Sequence, residues 1–94
     1  MADLVLHLKS KYFQQIKART KRHEYRLCNS YWTRRLLNRR YDRLVLWDAY
    51  KPRSEATVMT FPYHGYEIRT ITHEHFGPDP VKVFAIAAEP EEES

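Results

Sequence analysis

The chain has 94 residues, 43% of them hydrophobic and 14% aromatic, which supports one core and one domain and excludes a disordered protein. Its apolar runs, such as residues 83–88, fall far short of the roughly 18 residues of a membrane span, and no basic stretch followed by an apolar one marks a secretory leader. The net charge of +4 is unevenly divided: residues 1–53 carry 14 Lys/Arg against 4 Asp/Glu, and residues 54–94 carry 2 against 8, so the first half suits an anionic partner such as nucleic acid or a nucleotide, or else forms a solvated basic face.

Residues 3–8 read as a strand, with Leu4, Leu6 and Leu8 on one face by period two. Ser10 is a plausible N-cap for a short amphipathic helix over 11–18, in which Tyr12, Phe13 and Ile16 form the apolar side. A turn at Arg19-Thr20-Lys21 leads to a second strand over 22–27. There Glu24 and Arg26 share one face, and His23, Tyr25 and Leu27 the other. The lone Cys28 cannot form an internal disulfide and fits a reducing cytoplasm. Asn29 or Ser30 can cap a second helix carrying Tyr31, Trp32, Arg35, Leu36 and Arg39.

Residues 43–50 form a third strand whose nearly continuous apolar character makes it central, and Lys51-Pro52 ends it. Strands follow over 55–61 and 66–72, joined by a turn at 62–65. Residues 73–80 are a loop with two strong breakers, Gly77-Pro78 and Asp79-Pro80. A last strand covers 81–87, and the acidic residues 89–94 are expected to be a disordered tail behind a domain of residues 1–88. The expected fold class is α+β. About six mixed strands with two flanking helices, in so short a chain, favour a small closed or partly closed β-barrel, because closure removes exposed strand edges.

Three segments carry a family resemblance: Leu6-His7-Leu8-Lys9, Tyr12-Phe13-Gln14-Gln15-Ile16, and Thr20-Lys21-Arg22-His23-Glu24-Tyr25-Arg26. Together they resemble the ASCH family, a branch of the PUA-like barrels. Its pattern is a strand, an anchored helix, a small turn, and a Lys-x-x-Glu-x-Arg-like segment on the next strand. Tyr41 to Trp47 and Tyr66-Glu67-Ile68-Arg69 resemble later parts of the family more loosely. The family often places Gly in the turn after the first helix. Here the turn is Ala18-Arg19-Thr20, so it is built differently or Arg19 bears strain. The resemblance implies a cleft at the mouth of the barrel and a partner that is a modified nucleoside or RNA. Some members resemble metal-independent amidohydrolases that remove the acyl group of N(4)-acetylcytidine. Others resemble ribonucleases or plain RNA-binding modules. Fold alone does not choose among these.

With that resemblance, Lys21 is the leading catalytic candidate. Nearby Arg22 and Arg26 and partial burial would favour its neutral form, and Glu24 would oppose this. The alternative is a surface Lys21–Glu24 ion pair worth at most about 1 kcal/mol. Glu24 is a proton shuttle, an orienting group for Lys21, or a strand-face partner of Arg26. Glu74, between His73 and His75, is a second carboxylate for the leaving-group proton or an ordinary loop acid. Arg26, Tyr50, Arg53 and Tyr63 are candidates for holding substrate, with Tyr50 the better stacking residue; Trp47 reads as core. Arg34, Arg35, Arg39 and Arg40 can contact phosphate or simply face solvent. The five His residues have no recognisable zinc spacing, so neither a metal nor a cofactor is called for.

Overall fold

In the computed structural model, which describes residues 2–49 and 51–89, the alternating leucines form β1 (Asp3–Leu8) with Leu4, Leu6 and Leu8 buried. Helix α1 (Ser10–Lys17) starts one residue early. Lys9 occupies the cap position, and the Ser10 hydroxyl is turned away to Asp48 at 2.5 Å. Phe13 and Ile16 are buried, as their shared face predicts.

Strand β2 (His23–Leu27) follows, then α2 (Ser30–Leu36). The Asn29 side chain caps α2 by accepting the Trp32 N–H at 2.9 Å. This helix ends before Arg39 because the backbone becomes extended at Leu37 and left-handed at Asn38 (φ 57°). Strand β3 (Arg43–Asp48) buries Leu44, Val45 and Leu46. Strand β4 (Val58–Pro62) begins three residues later than the alternation suggests. The Thr57 hydroxyl accepts the Ser54 N–H and donates to the Pro52 carbonyl, which folds residues 54–57 into a turn. Strands β5 (Tyr66–Ile71) and β6 (Val81–Ala87) are separated by a loop containing one 3₁₀ turn, Glu74–Phe76.

Six strands form two three-stranded sheets, in the orders β1-β3-β4 and β2-β6-β5. The β1–β3 pairing is parallel, with Leu6 opposite Leu46; the other pairings are antiparallel. Both central strands are apolar runs, as expected of strands covered on two faces. Among the described residues the hydrogen-bonded ladders stop at the sheet boundaries, so no closed barrel is formed by them. The sheets share one core. Leu6, Leu44 and Phe61 come from the first, Phe84 and Ile86 from the second, and Phe13, Ile16 and Leu36 from the helices. Each fully buried side chain of this kind contributes about 1.5–3 kcal/mol. No helix among the described residues is long and apolar enough to cross a membrane.

Candidate functional site

The end of α1 decides where Lys21 goes. Arg19 takes φ 67°, the Arg19 N–H donates to the Ile16 carbonyl, and the Thr20 N–H donates to the Gln15 carbonyl, both at 3.0 Å. This is a Schellman cap built on arginine where glycine is the usual occupant. The Lys21 N–H also reaches the Gln15 carbonyl, at 3.2 Å, and the chain enters β2 two residues later.

That turn puts the Lys21 side chain inside the protein, with 12% exposed. Its ammonium donates to Glu24 Oε1 at 3.2 Å and lies 4.5 Å and 5.1 Å from the ring centres of Tyr12 and Tyr25. Glu24 is more buried still, at 5%. Its Oε1 also accepts the Tyr25 N–H, and its Oε2 accepts Arg26 Nη1 at 2.8 Å. Arg26 in turn donates to the carbonyls of Tyr25 and His7, which ties β2 to β1 across the two sheets. A buried carboxylate between two cations, with both oxygens hydrogen-bonded, is a stiff arrangement.

These groups open into a cleft of about 740 Å³, a size suited to a small organic ligand. Its charged lining is Lys9, Lys21, Arg26 and Arg35 against Asp3 and Glu24, which favours an anionic or electron-rich ligand. Tyr12, Tyr25 and Trp32 give it flat apolar surface, and the Arg26 guanidinium lies 5.2 Å from the Trp32 ring centre.

The far wall is His73 and His75, both packed against Tyr12. The His75 N–H donates to His73 Nδ1 at 3.1 Å, so that ring nitrogen acts as an acceptor. Partial burial first, and then the positive charge of Lys9, holds the His75 imidazole below its ordinary pKa and keeps it neutral at pH 7. Sequence reasoning weighed these histidines only as metal ligands. Among the described residues no three His, Cys, Asp or Glu side chains are placed to share a metal. The one usable signal was their position in the loop already singled out for Glu74.

The remaining candidates are scattered. Glu74 is exposed, pairs with exposed Lys11 and does not line the cleft; the Lys11 ammonium holds its carboxyl below the usual range. Arg53 lies 4.6 Å from the Trp47 ring centre, beside a separate, smaller cavity. Trp47 is half-buried, with its ring edge-on to His7 rather than in the core. Tyr63 stands behind the lining residue Tyr41, with ring centres 5.4 Å apart, and burial raises its phenol pKa. Tyr50 lies outside the described residues. Arg34, Arg35, Arg39 and Arg40 are all exposed, and Arg35 lines the cleft.

No family model, curated protein or solved structure matches this chain.

Proposed function

We propose that the cleft binds the base of an N(4)-acylated cytidine-type nucleoside, free or within RNA, and hydrolyses its exocyclic amide without a metal. The observation that carries this reading is the buried Lys21–Glu24–Arg26 cluster at the floor of an aromatic-lined cleft. The same three residues make up the Lys-x-x-Glu-x-Arg segment on which the ASCH resemblance rests, and the two sheets are then the halves of a small PUA-like barrel.

Amide hydrolysis needs a group to stabilise the tetrahedral oxyanion and a group to move a proton. Lys21 suits the first task. One ammonium proton is committed to Glu24, and the others face the tyrosine rings and the cleft. Glu24 has both oxygens occupied, so it orients Lys21 rather than taking a proton. The neutral imidazole of His75 is the acceptor the cleft offers. In this scheme water gives a proton to His75 as its oxygen bonds the acyl carbon. The proton then passes to the exocyclic nitrogen as the C–N bond breaks, releasing cytidine and a carboxylic acid.

The test is turnover of N(4)-acetylcytidine, as nucleoside and in RNA, by the parent and by Lys21→Ala. The substitution is expected to lower kcat/KM at least about 100-fold while circular dichroism shows a folded protein. No turnover of either substrate by the parent, or equal turnover by the variant, sinks the reading.

The four exposed arginines on and after α2 favour a second reading, an RNA-binding module without catalysis. It requires RNA affinity that falls steeply with salt, and salt-insensitive binding removes it.

A further inference from the structure

We propose that the smaller cavity beyond His7 is a subsite for the ribose and phosphate of a ribonucleoside 5′-phosphate whose base occupies the Lys21 cleft. The inference rests on the nucleoside reading above and makes the ligand a nucleotide.

The cavity measures about 250 Å³ and is lined by Trp47, Asp48, Lys51, Arg53 and Thr57, among others. His7 and Ala49 line both cavities, so the two adjoin at these residues. Two polar atoms here are left over. The Asp48 side chain is 1% exposed; its Oδ1 accepts the Ser10 hydroxyl, but its Oδ2 has no hydrogen-bond partner among the described residues. Lys51 Nζ is 3.7 Å from that oxygen, too far for a hydrogen bond. The Trp47 indole N–H is buried and unpartnered as well. A buried polar group without a partner is costly. One acceptor and one donor, on consecutive residues lining the same cavity, fit a ligand that supplies both.

A sugar does so, because each hydroxyl can donate to a carboxylate and accept from an N–H. The charge around the two atoms fits the phosphate. Arg53 stacks over the indole and Lys51 stands beside the carboxylate, and both are exposed. Lys51 lies 3.7 Å from one orphan atom, and Arg53 lies 4.6 Å from the centre of the ring that carries the other. A phosphate draws these cations outward as the sugar hydroxyls reach the atoms beneath.

The two indole N–H signals of ¹⁵N-labelled protein test this directly, with Trp32→Phe assigning them. Trp32 reports on the cleft and Trp47 on the subsite. Ribose 5-phosphate is expected to move the Trp47 signal alone, and cytidine the Trp32 signal. Cytidine 5′-monophosphate is expected to move both and to bind about tenfold tighter than cytidine. That gain should vanish in Arg53→Gln, an exposed position whose change leaves the core intact, and should shrink for 2′-deoxycytidine 5′-monophosphate. A Trp47 signal that ignores both phosphorylated ligands overturns the subsite and leaves the orphan atoms to trapped water. If Trp47 responds to ribose 5-phosphate while Trp32 ignores cytidine, the subsite stands and the base-binding cleft falls.

Discussion

Lys21 and Glu24, three residues apart, meet at 3.2 Å with almost all of both side chains out of water. The pair is not symmetric. Without Lys21, Glu24 keeps Arg26 and the Tyr25 N–H; without Glu24, two cations face each other beneath the cleft. Glu24→Ala is therefore expected to cost about 3–5 kcal/mol and Lys21→Met about 1 kcal/mol. Urea unfolding of the two variants checks this, and equal losses would show that the carboxylate is not the hub.

The left-handed Arg19 offers a gain in stability. A residue with a Cβ pays roughly 1–2 kcal/mol in this conformation, and glycine gives back part of that through the flexibility of its unfolded chain. Arg19→Gly is expected to stabilise the protein by about 0.5–1 kcal/mol. A lower midpoint in urea for the variant would mean that the Arg19 side chain makes a contribution larger than the backbone strain.

Removing the cap of α2 has the opposite sign. Asn29→Ala leaves the Trp32 N–H without its acceptor and is expected to cost about 1 kcal/mol, or a fall in Tm of about 4–8 °C. Asn29→Asp keeps the acceptor and should keep the Tm.

Two histidines make stability depend on pH. Burial first, and then Arg69, lowers the pKa of His23; burial and Lys9 lower that of His75. Each folded value lies below the ordinary 6.5 of the unfolded chain, so the unfolded state binds more protons between the two values. Their contribution is complete above pH 6.5 and is lost as the pH falls from there through the folded values. Thermal melts from pH 7.5 to pH 5 should show Tm falling. His23→Gln combined with His75→Gln should flatten that slope, and an unchanged slope would place its origin elsewhere.

The local geometry of the site was legible in the sequence because local rules govern it. Period two puts Glu24 and Arg26 on one face, while strain at Arg19, in the turn that delivers Lys21, was one of two alternatives that rested on the family resemblance. What stayed hidden depends on distant partners. Nothing near Thr57 reveals that its hydroxyl bonds Pro52 and delays β4. His73 and His75 meet Tyr12 only because β5 and β6 carry their loop over α1. Successive residues of a 3₁₀ turn project about 120° apart, so a turn that presents His75 to the cleft presents Glu74 elsewhere, to Lys11. The uneven charge of the two halves also does not mark two faces, because each sheet takes strands from both.

That interleaving has a consequence for handling the protein. The first sheet takes β1, β3 and β4, the second β2, β5 and β6, so any cut between β1 and β6 separates partners. A protease nick in the exposed stretch around Glu55 would release no self-sufficient piece, since β3 would be severed from β4 and β2 from β6. The two fragments could hold their shape only by reassociating, and neither would survive as a smaller module.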